Sequence, residues 1–311
     1  MFKHYFFLPL FVFVLCLSGC KNSKDEPDSP SIDGIFSVSA THQVYFSKGN
    51  LQYQASTGLW RFAEHQYDWV GYDEKGNVYQ DGIKCDNDEI SETYSGWIDL
   101  FAWGTSGWSE SGANQYKPTS QSYDNTDYWV GGDHDNELTG EYAKADWGVY
   151  NKIGNYPAGT WRTPTMREWA YLLWGRNKAS ELKGLATVNG VFGAIILPDD
   201  WEPVEGISFV DGDNDSHFSA NEYNLSQWGK MEKTGAIFLP SASIYSVIHN
   251  NEGDYWSASC YHEEDEVSSA LINECAKGVW FYENLEGAFD GMYSKRSCRS
   301  SVRLVRDAEI E

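Results

Sequence analysis

From Gly34 onward, apolar residues come in short runs. Ile35–Ser39, Val44–Phe46, Leu51–Gln54 and Leu59–Phe62 follow one another, with turn signals at Lys48-Gly49-Asn50 and Ser56-Thr57-Gly58. Short aromatic and β-branched runs split by such turns predict an antiparallel meander with one apolar face. The period changes after Pro164. Thr165 and Glu168 form a T-x-x-E capping box, and Trp169, Leu172 and Leu173 fall on one helical face before Gly175. This predicts an amphipathic helix whose job is scaffolding.

Between these regions, residues 71–159 are rich in Gly, Asp, Asn, Ser and Trp and have little regular period. Trp97, Phe101, Trp103 and Trp108 make the stretch too apolar for a tether, so it predicts ordered loops pinned by aromatics. Tyr142–Tyr150 is expected to form a short helix. Downstream, Ala194–Pro198 and Ala236–Pro240 are two buried-type apolar runs, each stopped by proline, with a second short helix expected at Leu225–Lys233. The last strands are expected near Tyr255–Ser259, Val279–Tyr282 and Ser301–Val305.

The start of the chain changes the picture from a bare domain to an exported one. Lys3 precedes an apolar run from Tyr5 to Leu17, too short to span a bilayer and of signal-peptide length. Leu17-Ser18-Gly19-Cys20 has the form of a bacterial lipobox, which makes Cys20 the expected lipidation site. Residues 1–19 then form the signal peptide, residues 20–33 a lipidated, flexible tether, and residues 34–311 one folded domain. Several acyl chains on Cys20 would anchor the protein stably, and an outer-membrane, surface-exposed location in a Gram-negative bacterium is expected.

The formal net charge of −23 disfavours nucleic acid, whose phosphates need Lys and Arg. It equally disfavours electrostatic docking on anionic lipid. Beyond Cys20 and Cys16 of the leader, the cysteines are Cys85, Cys260, Cys275 and Cys298. An envelope location permits disulfides among these four, with a bridge within the C-terminal trio favoured. No CxxC occurs, which argues against a zinc ribbon or a thioredoxin-type site.

Several stretches resemble a known family. "WRTPTMREWAYLL" at 161–173 resembles a helix start of the formylglycine-generating-enzyme, or sulfatase-modifying-factor, superfamily. "GDYWSAS" at 253–259 followed by "SSVRLVR" at 300–306 resembles the C-terminal half of Fib-succ major paralogous domains. "FSKGNLQYQASTGLWRFAEHQYDWVG" and "YSGWIDLFAWGTSGW" resemble the N-terminal half of such surface lipoproteins. The resemblance implies an α+β, C-type-lectin-like fold with small twisted antiparallel sheets, two main helices and long ordered loops. Arg299 stands where that family usually has glycine before the closing strand. The copper-binding cysteine pair of the superfamily's oxidases lacks its local context around Cys275 and Cys298.

The chemistry-bearing motifs are sparse. Asp211, Asp213 and Asp215 have D-x-D-x-D spacing with Glu222 at the twelfth position, a candidate calcium loop, although Ser216 occupies the position that wants glycine. Walker A, G-x-G-x-x-G, G-x-S-x-G and H-E-x-x-H are absent. The expected function is therefore a non-catalytic recognition module that binds a glycan or protein through C-terminal loops at about residues 241–254, 260–276 and 283–299. Tyr245 and His249 on the first loop, Tyr261 and His262 on the second, and Tyr293, Arg296 and Arg299 on the third are the candidate contacts. The alternatives are a structural subunit of a surface assembly or a degenerate oxidase or hydrolase. Calcium is the one cofactor under consideration.

Overall fold

The computed structural model describes residues 31–70, 78–80, 83–86, 91–109, 117–120, 122–212, 217–242, 251–261, 273–283 and 288–308. Its strands are β1 (Phe36–Ser37), β2 (Gln43–Phe46), β3 (Leu51–Gln54), β4 (Leu59–Phe62), β5 (Val78–Gln80), β6 (Ile83–Asp86), β7 (Lys183–Val188) and β8 (Val191–Ile196). They continue as β9 (Glu222–Tyr223), β10 (Ile237–Pro240), β11 (Gly253–Cys260), β12 (Cys275–Phe281), β13 (Phe289–Lys295) and β14 (Val305–Asp307). The α-helices are α1 (Trp147–Tyr150), α2 (Met166–Ala170) and α3 (Leu225–Lys233). The molecule is thus α+β, with several small antiparallel sheets and few helices.

The predicted meander is two separate hairpins. β1 pairs with β2, and β3 pairs with β4, but β2 takes β14 on its other side rather than β3. The end of the chain is thereby sewn to its beginning. The pairing is long-range and leaves no local trace, which is why alternation alone could not place it. The two proline-stopped runs do pair, as β8 against β10 in the sheet β10-β8-β7-β9, where β9 adds in parallel to β7. β11, β12 and β13 form a third antiparallel sheet.

α2 follows its sequence signal closely. The Thr165 side chain accepts from the Glu168 amide while Glu168 returns to the Thr165 amide, so two orphan donors of the first turn are satisfied reciprocally. Glu168 also holds Arg162 through both carboxylate oxygens (2.7 and 2.8 Å). Arg162 reaches on to Asp307 of β14 at 2.9 Å. The helix continues as a π turn over Tyr171–Gly175. Its Trp169, Leu172 and Leu173 are buried with Phe36, Phe46, Leu185 and Tyr255 in one core cluster. A second cluster is aromatic, built on Trp60, Phe101, Trp103, Trp147, Trp161 and Trp256. It pins the irregular middle of the chain, as its composition predicted. Within that middle, 3₁₀ turns at Asn125–Tyr128 and Gly140–Ala145 lead into α1, whose first turn is capped by the buried Asp146. A third cluster packs α3, through Trp228 and Met231, on the β10-β8-β7 sheet.

A buried polar network ties these parts together. Arg303 is fully buried and donates to Asn50 Oδ1 (3.3 Å) and to Gln66 Oε1. Asn50 donates to the Tyr255 hydroxyl (3.0 Å), which donates to the Pro240 carbonyl (2.9 Å). Burial lowers the Arg303 guanidinium to about 10, and the charges of Tyr255 and Glu232 oppose the loss of water only in part. Among the described residues no helix is long and apolar enough to cross a membrane.

Candidate functional site

The eight residues after β4 build an open cleft of about 470 Å³. Gln66 decides which of them face it. Its side chain turns inward and is fully buried, donating to Glu232 Oε1 (3.0 Å) and the Ala236 carbonyl (3.1 Å) and accepting from the Phe238 amide (2.8 Å). Its neighbours in sequence therefore turn outward. Asp68 closes the turn by accepting from the His65 amide (2.9 Å) and lying 3.0 Å from His65 Nδ1. The His65 ring stacks on Tyr67 at 5.1 Å and 11°. The amide of Val70 donates to the buried Asp99, so the segment is fixed at both ends.

Glu64, Tyr67, Asp68 and Trp69 line the cleft together with Gln52 of β3 and Arg61 of β4. The β7–β8 turn lines it too, through Asn189 and Val191. Asn189 and Gly190 both have positive φ (52° and 80°), the two-residue turn that asparagine and glycine make cheaply. Arg61 is held by two contacts. Its guanidinium lies 3.8 Å over the Trp97 ring, and its Nε donates to Gln52 Oε1 at 2.9 Å. Among the described residues no acceptor meets its two terminal nitrogens. Partial burial pulls its pKa down, opposed by the charges of Glu64 and Asp68. The cleft thus combines aromatic surface, a pre-oriented donor fork and carboxylate acceptors, a set suited to recognition of a polar ligand.

The C-terminal candidates fare differently. Tyr245, His249 and His262 lie outside the described residues, as do Asp213 and Asp215 of the candidate calcium loop and the lipidation candidate Cys20. Arg296 and Arg299 are not ligand contacts, because they are 0 % and 1 % exposed. Arg296 donates to the carbonyls of His134 and Cys275 and stacks over Trp103 at 4.9 Å. Arg299 donates to the carbonyls of Pro118 and Ser120. Both guanidiniums thus donate to main-chain carbonyls inside the fold, while Arg296 Nη1 meets no partner among the described residues. Tyr261 is also buried, edge-on to Tyr293 at 5.7 Å, and only Tyr293, 52 % exposed, faces solvent.

Among the described residues no disulfide joins Cys260, Cys275 and Cys298 to one another. Cys260 lies opposite Ala276, and Cys275 opposite Lys295, so the register keeps these cysteines from facing one another across the sheet. Burial pushes Cys260 up to about 12 and Cys275 up to about 11. The Cys85 side chain lies outside the described residues.

The base of the acidic loop is closed by Asn221, which accepts from the Val210 amide and donates to its carbonyl, both at 2.7 Å. That leaves Asp211 and Glu222 flanking one clamp, with Glu222 on a strand rather than the helix an EF-hand would supply. Among the described residues, three ligand-type side chains converge only at Asp133, His134 and Asp135, within 4.8 Å. There Asp133 Oδ1 accepts from the Asp135 amide (3.1 Å) and His134 Nδ1 lies 2.9 Å from Asp135, which makes a self-contained turn.

The cleft had a signal in the sequence. "RFAEHQYDW" places one arginine, three acidic or imidazole groups and two cleft-lining aromatics within nine residues, at and just beyond the end of a strand. No protein-family model, curated protein or solved structure matches the chain.

Proposed function

We propose that the protein is a non-catalytic recognition module, displayed at the cell surface by a lipid on Cys20, that binds a glycan in the cleft between β3–β4 and the β7–β8 turn. The observation that carries this reading is the cleft itself. Tyr67 and Trp69 contribute aromatic surface to its lining, and Arg61, Glu64, Asp68 and Asn189 contribute planar polar groups. Sugars are bound by this pairing of aromatic faces with fixed polar edges. Of the C-terminal candidates that lie among the described residues, Tyr293 is the exposed one.

A C-type-lectin-like fold is part of the same proposal. It is supported by the capped helix α2, the second helix α3, the small sheets and the long aromatic-pinned middle. The lipobox-like LSGC and the acidic composition support an outer-membrane, surface-exposed location.

The test is a combined glycan and protein array probed with the purified protein, with calcium and again with chelator. Binding to a glycan class that Trp69→Ala abolishes supports the reading. Binding to protein features alone, or glycan binding indifferent to the cleft, overturns it. Loss on chelation would bring Asp211, Asp213, Asp215 and Glu222 back as a calcium site.

A further inference from the structure

The way Arg61 is held says more about the ligand. Resting on the reading of the cleft as a glycan site, we infer that it selects an uncharged saccharide, and that Arg61 contacts the sugar while Gln52 and Trp97 position it. A surface arginine ordinarily spends entropy on each bond it makes. Here that cost is already met. Trp97 beneath the guanidinium plane (3.8 Å) and Gln52 Oε1 on Nε (2.9 Å) fix both its plane and its rotation. Gln52 is itself buried, and its residue in β3 pairs directly with Arg61 in β4. What remains is a fork of two terminal nitrogens in the cleft, spaced to bracket two neighbouring oxygens.

Charge decides which oxygens. Glu64 and Asp68 line the same cleft, close enough to act on the Arg61 charge. No lysine or second arginine lines it, so its formal charge is negative, on a protein of net charge −23. A uronate, sialate or sulfate brought to Arg61 would meet two carboxylates at short range, where screening is weak. A cation attracted to the carboxylates would meet the guanidinium. Neighbouring hydroxyls suit both partners: their oxygens accept from the fork, and their hydrogens donate to Glu64 or Asp68. Tyr67 and Trp69, which line the same cleft, supply its apolar part.

The experiment compares neutral oligosaccharides with matched uronate-, sialate- and sulfate-bearing ones on an array. Titration calorimetry of the best neutral ligand follows, using the whole protein and its variants. Neutral sugars should bind with little dependence on salt. Arg61→Ala should weaken them at least tenfold, and Arg61→Lys nearly as much, because an ammonium has no fork. Gln52→Ala should weaken binding severalfold and Gln52→Glu should restore it, with melting temperatures unchanged, which a merely structural role would not produce. Preference for acidic sugars that still require Arg61 and Trp69 would overturn the neutral assignment and leave the glycan site standing. Binding that survives both Arg61→Ala and Trp69→Ala, or no glycan binding at all, would overturn the site itself.

Discussion

Two groups of arginines divide the molecule. Arg296, Arg299 and Arg303, on the closing segment, are all buried, and their guanidiniums are spent on loop carbonyls and on the side chains of Asn50 and Gln66. Arg61, on β4, is held just as firmly through its Nε and its ring face, but its terminal nitrogens are left to an open cleft. The side chain is the same in both places, and the difference lies in what surrounds it. Arginines sunk among main-chain carbonyls and side-chain amides hold the fold together, even with Arg296 Nη1 and Arg303 Nε unmet among the described residues, whereas a fixed arginine whose terminal nitrogens face an open cleft is equipped to bind.

The largest effect should come from breaking the buried group. Arg303→Ala strips donors from Asn50 and Gln66 and leaves a cavity in place of a fully buried side chain. It should cost about 3 kcal/mol or more, read as a fall of roughly 5–10 °C in thermal unfolding. Because Gln66 also orients the cleft segment, this variant should lose ligand binding as a consequence of stability. Arg296→Ala should cost somewhat less, about 2 kcal/mol. Its loss should be local, with hydrogen exchange rising first around His134 and Cys275, the carbonyls it holds.

A third prediction asks whether burial elsewhere is handled by protons instead of carbonyls. Glu252 and Asp254 are buried side by side, and desolvation together with the Asp254 charge pushes Glu252 up to about 9. In the unfolded chain the same carboxyl ionises near its ordinary value of 4.5. Over that window the folded state holds a proton the unfolded state has released, so stability should fall as pH rises and level off above about 9. Glu252→Gln keeps a neutral group there and should flatten the fall, measured as melting temperature across the window. A slope unchanged in this variant would assign the pH dependence to other groups. The smallest effect on stability belongs to Arg61→Ala, under about 1 kcal/mol, since only the Trp97 contact and one hydrogen bond are lost.

The comparison also shows what the sequence could and could not disclose. Helix α2 was legible because a capping box and an i, i+3, i+4 face are local signals, and α3 because Asn224 and the apolar Trp228 and Met231 mark its start and its inner face. The β2–β14 pairing was not legible, since its partners lie some 260 residues apart and register across such a distance depends on the assembled core. Arg296 and Arg299 were misread because composition rules place arginine at surfaces, and only the folded chain reveals carbonyls in need of donors. The cleft residues sat in plain view in "RFAEHQYDW", yet their outward orientation follows from Gln66, a residue whose inward bonds no pattern announces.

The most direct test of the account is a paired measurement on Arg61→Ala and Tyr293→Ala, each melted and each titrated with the glycan ligand. The account predicts that both melt close to the wild type, that Arg61→Ala loses binding at least tenfold, and that Tyr293→Ala keeps it. Binding retained without Arg61 and lost without Tyr293 would contradict it, and would return the recognition surface to the C-terminal loops.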